Sequence, residues 1–209
     1  MKKNNFPSKI PIFPLSNAIF FPRTILPLNI FEDRYIELVN DCMKENRMFG
    51  MVQPKNKSPE VYKIGCLGKI ISFNETEDGR YLIVIKGVCR YKIIEELKND
   101  KLYRECKVSF EPFPKDLSKI SEEIKFSDLE LIFKNFKTFF QKQGYLINWK
   151  DLEKQNLDQI INTLSMASPF SLEEKQALLE TTDLETRKKK LEEILKIYIF
   201  DNFSNTTIQ

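Results

Sequence analysis

The spacing of apolar residues divides the chain into a front part with a strand period and a rear part with a helix period. Between residues 10 and 110, short apolar or alternating runs rich in β-branched side chains indicate β-strands. These runs cover residues 10–15, 25–30, 48–53, 61–73, 80–94 and 102–110. Asp78-Gly79 lies between two of them, and this dipeptide predicts a tight hairpin turn.

One helix is predicted inside the strand region. Tyr35, Leu38, Val39, Cys42 and Met43 recur at intervals of three and four residues, so they share one face of a helix of three to four turns. The remaining positions carry mostly charged side chains. A mixed α+β class follows, with a single helix inserted among the strands.

The Pro112-Phe113-Pro114 segment predicts the boundary between the two parts, because the apolar period becomes helical after it. Four short amphipathic helices are expected, the third opened by a capping box from Ser171 to Glu174. Such helices must bury their apolar faces together. We therefore predict a strand-rich subdomain over residues 8–114, a helical bundle over 115–201 and a flexible tail over 202–209.

The composition argues against most catalytic chemistry. The 209 residues include no His, which excludes Ser-His and Cys-His triads and His-ligated metals. Residues 65–70 suggest a phosphate loop only superficially, because the spacing is wrong and Ile70 stands where a hydroxyl is required. We predict no enzyme activity, no catalytic residue, no cofactor and no metal.

The four cysteines are Cys42, Cys66, Cys89 and Cys106, and none forms a CxxC pair. Each lies in an apolar run, which favours four reduced, buried thiols; a disulfide bridge or a reactive thiol is the alternative. The first residues do not form a convincing signal peptide, because Pro7, Pro11 and Pro14 interrupt the apolar region, and we expect no membrane span. We expect a cytoplasmic protein.

Charge offers little support for nucleic-acid binding. Residues 1–150 hold 26 basic and 19 acidic groups, and the whole chain has a net charge of +3. The densest basic run, residues 187–190, lies within a helical pattern and is interpreted as a solvated helix face. Arg34 and Arg90 are expected to organise the fold by pairing with a carboxylate such as Glu32 or Asp33, rather than to contact a ligand.

Several ordered motifs resemble one known family. Residues 20–35 (FFPRTILPLNIFEDRY) are similar to the signature of the N-terminal substrate-binding domain of Lon ATP-dependent proteases. Residues 48–52, 65–70, 78–91 and 172–195 resemble later motifs of that domain, in the same order. One position departs from the pattern, because Arg23 stands where the family usually has Gly.

The resemblance implies a PUA-like β-barrel with one inserted helix, followed by a C-terminal helical bundle. It also implies a free-standing Lon-type domain that binds rather than catalyses, since nothing similar to the family's ATPase or peptidase domains is present. The expected partner is an unfolded or degradation-bound polypeptide or a partner protein, with a Lon-type ATPase among the candidates. The protein would then be an adaptor or a regulator of proteolysis.

The candidate contact with polypeptide is the loop of Phe20, Phe21, Pro22 and Arg23, which could present apolar side chains to a ligand. Packing of the same side chains in the core is the open alternative. An RNA-binding PUA-like module is the alternative function, because PUA-like barrels resemble RNA-modification modules and residues 1–150 are basic. The ligand and the oligomeric state are left open by the sequence.

Overall fold

The computed structural model describes residues 6–55, 58–118, 127–145 and 147–204, with the side chains of 127–129 and 201–204 left aside. Its chain divides into two compact units, residues 1–117 and 118–209. The short segment after the last strand is a 3-10 helix, Pro114–Leu117, which packs against a strand and extends the front unit to residue 117.

Six strands and one α-helix form the front unit. The elements are β1 (Lys9–Pro14), β2 (Ile25–Ile30), α1 (Asp33–Lys44), β3 (Met48–Val52), β4 (Ile64–Glu75), β5 (Tyr81–Leu97) and β6 (Arg104–Ser109). The strands were expected close to these positions, and the turn between β4 and β5 contains Gly79 with a φ of 81°. This positive φ explains why the Asp-Gly dipeptide marks the hairpin.

The strands pair in the order β2-β5-β4-β3-β1-β6, and β6 also pairs with β5. These pairings make a barrel-like ring that is not evenly closed. The long strand β5 closes it, because β5 pairs with β4 on one side and, through its second half, with β6 on the other. The first half of β5 pairs with β2 instead of β6. Strand β2 lies outside the ring and pairs only with β5 among the described strands, so it is an edge strand.

The interior of the barrel is apolar and closely packed around Tyr91. A Cβ atom on Gly50 or Gly65 would come within 2.5 Å of the Tyr91 hydroxyl, so only glycine leaves room for this ring. The hydroxyl donates to the Met51 carbonyl at 3.0 Å. The other core residues around it come from five strands: Ile10, Ile12, Val52, Leu67, Cys89, Ile93, Cys106 and Val108.

Helix α1 buries the predicted stripe of Tyr35, Leu38, Val39 and Cys42. The Tyr35 ring stacks on Phe13 of β1, with 3.9 Å between ring centroids. None of the four cysteines forms a disulfide, and all four are buried. Burial raises the pKa of the Cys42 and Cys89 thiols to about 12, so both are protonated at neutral pH, which confirms the favoured interpretation for these two.

The two arginines expected to organise the fold behave differently. Arg34 pairs with Glu32 at 2.6 Å, as predicted. Arg90 pairs with neither Glu32 nor Asp33, because its guanidinium is buried against Asp116 of the 3-10 helix, with bonds of 2.9 and 2.8 Å, and lies over the Phe113 ring. The pair joins β5 to the chain that follows β6, a long-range contact that local spacing does not reveal.

The rear unit contains the helices α2 (Ser127–Lys142), α3 (Trp149–Leu152), α4 (Leu157–Ala167), α5 (Leu172–Leu179) and α6 (Leu184–Ser204). The four predicted helices are confirmed, including the capping box that opens α5. The single-turn helix α3 is not obvious from periodicity. Helix α6 continues through Ser204, within the stretch predicted as a tail, and residues 205–209 lie outside the described residues.

The interpretation of residues 187–190 as a solvated face is wrong for its first two members. Lys188 is buried, and Arg187 is only 2% exposed. Arg187 donates from Nε to the Leu178 carbonyl at 2.9 Å and from Nη1 to the Asn162 amide oxygen. Carbonyl groups in the last turn of a helix lack intrahelical partners, so Arg187 satisfies the end of α5.

The structure thus confirms the predicted fold class. It is an α+β chain in which a barrel-like strand region with one inserted helix precedes a helical region.

Candidate functional site

The candidate contact loop proves to be part of the core. Phe20 is 3% exposed, Phe21 is fully buried, and Pro22 is buried beside them. Core packing, the alternative that the sequence left open, is therefore what the structure shows for these side chains. Contact between the loop and a polypeptide stays a prediction, and Arg23 is its only partly exposed residue.

The backbone of this loop is locked onto strand β5. The Arg23 amide donates to the Gly87 carbonyl, and the Gly87 amide donates to the Thr24 carbonyl, both at 2.9 Å. A Cβ atom on Gly87 would lie 2.1 Å from the Phe21 carbonyl oxygen, so glycine is required for this close approach. The close backbone approach at Gly87 is therefore made by this loop.

Arg23 adopts a φ of 63° in a turn that also contains Pro22. Proline at the second turn position and a positive φ at the third are the features of a type II turn, which favours glycine at the third position. This geometry gives a physical reason for the usual Gly at position 23, and it shows that Arg23 keeps the conformation.

The opposite side of the same strands forms a different kind of surface. In β5, Leu82, Val84 and Lys86 alternate with the buried Ile83 and Ile85, so they point away from the core. Residues directly opposite each other on paired strands share a face. The register places three rows on this side: Ile25, Lys86 and Lys69; Pro27, Val84 and Ser72; Asn29, Leu82 and Asn74.

We call these nine positions, together with the exposed residue Ile71 at the β4 bulge, the outer face. It is more apolar than a solvated sheet surface normally is. Ile25 and Ile71 are 52% exposed and Leu82 is 45% exposed, with Pro27 also exposed. Four residues along a strand and three strands across give dimensions of about 13 by 10 Å, enough for four or five residues of an extended chain.

Charge is distributed unevenly around the outer face. Lys69 and Lys86 are register partners and stand side by side in the first row. Glu75, Glu77 and Asp78 lie at the other end, around the β4–β5 turn, where Asp78 pairs with Arg80 at 2.7 Å. The outer face therefore has a basic end, and the turn beyond its other end carries more acidic than basic residues. Glu75, the register partner of the buried Tyr81, belongs to the inner side of the sheet.

The edge strand β2 borders this surface. It carries Pro27, which has no amide hydrogen to donate to a further strand. Proline in an edge strand discourages open-ended strand pairing. Contacts at the outer face are therefore expected to come mainly from side chains rather than from an added β-strand.

A second cluster brings titratable groups together between α1 and β6, around a cavity of about 160 Å³. Lys101 binds Asp41 at 3.1 Å and the Tyr103 hydroxyl at 2.6 Å, and Lys9 pairs with Glu105 at 2.8 Å. Lys9, Asp41, Lys101 and Glu105 thus each have a partner of opposite charge.

The protonation states in this cluster do not suit acid–base chemistry near neutral pH. The hydrogen bond from Lys101 lowers the pKa of Asp41, and burial raises the pKa of Tyr103 to about 12. The hydrogen bond with Tyr103 raises the pKa of Lys101. Since a general acid or base works best with a pKa near the working pH, these residues serve to join α1 to the strand region.

Within the described part of the chain, no group of three or more Cys, Asp or Glu residues is arranged to hold a metal ion. None of its helices combines the length and apolar character needed to cross a membrane.

The outer face escaped sequence reasoning for an identifiable reason. Residues 81–85 are a nearly continuous apolar run, and such runs normally indicate a strand covered on both sides. Only the exposure of Leu82 and Val84 shows that one side is open. Two sequence features could have revealed the outer face: Pro27, which marks an edge strand, and Lys86, which ends the apolar run.

The outer face thus presents exposed apolar side chains on an open sheet surface. Comparison with known proteins gives the family. The model of the ATP-dependent protease La (Lon) substrate-binding domain matches residues 9–197, and the chain belongs to this family. The matched region is the substrate-binding domain, and the peptidase domain is not part of the match.

Curated relatives include the Lon protease of Cytophaga hutchinsonii, 29% identical over 195 residues, and that of Malacoplasma penetrans, 33% identical over 190 residues. These alignments cover 88% and 83% of this chain but only 23% of each relative. The chain thus spans about a quarter of the length of the curated relatives it matches.

Solved structures agree on the fold. A Lon N-terminal domain protein from Xanthomonas campestris superposes with a TM-score of 0.66 at 21% identity, covering 88% of this chain and 96% of that one. The N-terminal domain of the Mycobacterium avium complex Lon protease gives 0.62 at 15% identity, covering 90% and 98%. These similarities confirm the expected fold of a Lon N-terminal domain.

Proposed function

We propose that this chain binds unfolded or degradation-bound polypeptides in Lon-type proteolysis, and that the outer face makes the contact. The observation that carries the proposal is the exposure of Ile25, Ile71 and Leu82 on one sheet surface. An unfolded polypeptide exposes apolar side chains that a folded protein buries. Contact between apolar surfaces is non-directional, so one such surface accepts many different sequences.

The finer role is an adaptor or regulator that delivers substrates to a Lon-type ATPase. The family match supports this role, because the domain that this chain matches is the one described as substrate-binding. The RNA-binding alternative is not favoured, because the relatives are Lon proteases and only two of the ten outer-face positions are basic.

The decisive experiment measures binding of a fluorescent, permanently unfolded protein by anisotropy. The double variant Ile71→Ser/Leu82→Ser removes two apolar contacts from the outer face. Burying one such side chain contributes about 1.5–3 kcal/mol, and 1.4 kcal/mol corresponds to a factor of ten. We therefore expect the affinity to fall at least about tenfold.

A matched control is available in the same unit. Leu102 is 63% exposed but lies before β6, away from the outer face, so Leu102→Ser should leave the affinity unchanged. Equal weakening by both variants would place the binding surface elsewhere. An absence of binding by the unaltered chain would contradict the proposed function.

A further inference from the structure

Two lysines stand together on the outer face without an acidic neighbour. Lys69 and Lys86 are opposite each other on β4 and β5, and both side chains are exposed. No ion pair to either one is present within the described residues. Like charges placed directly opposite on paired strands destabilise a sheet, so this arrangement has a cost that the fold itself does not offset.

Apolar side chains surround this positive end. Ile25 is the register partner of Lys86 on β2, and Met48 is the register partner of Lys69 on β3. The other two rows contribute only apolar and neutral polar side chains, and none of the nine paired positions is acidic. An anionic group placed beside the apolar surface would therefore meet two ammonium groups and no repelling carboxylate.

Acidic residues lie beyond the opposite end of the outer face. Glu77 and Asp78 belong to the β4–β5 turn, at least about 17 Å along the strand from the lysine row, and Asp78 pairs there with Arg80. A segment with an acidic residue at the turn end would meet carboxylates, whereas the same residue at the lysine end would be attracted. The charge pattern thus favours one orientation as well as one composition.

We propose that the outer face selects apolar polypeptide segments flanked by acidic residues, with the carboxylates held at Lys69 and Lys86. This inference rests on the proposed function, because it names the class of segment taken by the same surface. The apolar rows bind the apolar part of the segment, and the two lysines distinguish acidic flanks from neutral or basic ones. Electrostatic complementarity of this kind contributes chiefly to specificity and orientation.

The test uses three fluorescent peptides that share one apolar core of five residues and differ in flanks of two Asp, two Ser or two Lys residues. We expect the acidic peptide to bind about five- to tenfold more tightly than the neutral one, the size expected for two exposed ion pairs. The Lys-flanked peptide should bind most weakly. Raising the ionic strength to 0.5 M should bring the three affinities together, because salt screens exposed charges.

Reversing the charge of the two lysines provides a stronger test. In the variant Lys69→Glu/Lys86→Glu, the order should invert, so that the Lys-flanked peptide binds most tightly. The control Lys92→Glu/Lys107→Glu changes the net charge by the same amount at exposed positions outside the three rows, and it should keep the original order. The single variant Lys69→Glu places opposite charges on the register pair and should raise the melting temperature.

The possible failures are distinguishable. If all three peptides bind the unaltered chain equally, the selection for acidic flanks is overturned while the proposed function stands. If none binds, the proposed function itself fails. An inversion in the control variant would show an effect of net charge alone and would overturn the role of Lys69 and Lys86. Displacement of the acidic peptide by a single-stranded RNA, with no preference among the three peptides, would also overturn the proposed role of Lys69 and Lys86.

Discussion

Two apolar regions of the front unit, the Phe20–Arg23 loop and the outer face, lie on opposite sides of the same three-stranded sheet. The loop carries the more apolar sequence, yet Phe20 and Phe21 are buried against the inner side of β5. The outer face carries a more ordinary strand sequence, yet Ile71 and Leu82 are exposed. Apolar character alone therefore does not indicate which region can meet a ligand.

The difference comes from the backbone rather than from the side chains. The loop is joined to β5 by the two hydrogen bonds with Gly87, which place its aromatic rings on the core side. Among the described residues, no segment covers the outer side of these strands in the same way. Hence the first region should respond to substitution mainly through stability, and the second mainly through binding.

The largest effect is expected from Phe21→Ala. Removing a fully buried ring leaves a cavity and forfeits the transfer free energy, at a cost of about 3–5 kcal/mol in the free energy of unfolding. Urea denaturation followed by circular dichroism measures this loss. A loss below about 1 kcal/mol would show that the ring is accessible after all and would remove the contrast between the two regions.

Gly87→Ala should have the next largest effect. Its Cβ atom would meet the Phe21 carbonyl oxygen, which cannot move without shifting the loop, so we expect destabilisation by about 1–3 kcal/mol. Gly68→Ala is the matched control, since Gly68 is the register partner of Gly87 and its nearest contact is a side-chain atom of Phe20 at 3.2 Å. Equal losses in the two variants would mean that the loop does not approach β5 through Gly87.

Arg23→Gly tests the turn conformation in the opposite direction. A residue with a side chain in the left-handed region destabilises the folded state by about 1–2 kcal/mol, and glycine removes this cost. Glycine also makes the unfolded chain more flexible, which offsets about 0.5–1 kcal/mol of that gain. We expect stabilisation by up to about 1 kcal/mol, measured as a higher urea midpoint. Destabilisation would instead show that the Arg23 side chain contributes more than the turn does.

The smallest change in stability is expected from Leu82→Ser on the outer face. Exposed positions away from special features usually change the free energy of unfolding by no more than about 0.5 kcal/mol. Thermal and urea unfolding should nearly coincide with those of the unaltered chain, while affinity for the unfolded protein falls. A large loss of stability would place Leu82 in the core and make its binding data uninterpretable.

Local features of the fold could be predicted because nearby residues determine them. The stripe on α1, the turn at Gly79 and the capping box at Ser171 each depend on side chains within a few positions of one another. The helical region also followed from the helical period after residue 114, and the family motifs added the barrel, which periodicity alone did not specify.

The candidate site was less accessible to such reasoning. The sequence offered Phe20 and Phe21 as a contact loop with core packing as the open alternative, and the apolar run at 81–85 indicated a strand without showing which side is exposed. The basic residue Arg187 looked solvated because its neighbours in sequence are lysines, although it completes the end of α5. In each case the deciding partner lies far away in the sequence.

The amino-acid sequence by itself determined the family, the strand and helix periods, the main turn and the lack of imidazole chemistry. Those properties depend on residue identity and on spacing over a few positions. Only the tertiary structure decided that Phe20, Phe21 and Pro22 are core, that Arg90 pairs with Asp116, and that Lys69 stands opposite Lys86. The register of the paired strands and the packing of segments distant in the sequence decide such contacts. Both bring together residues that no short-range pattern connects.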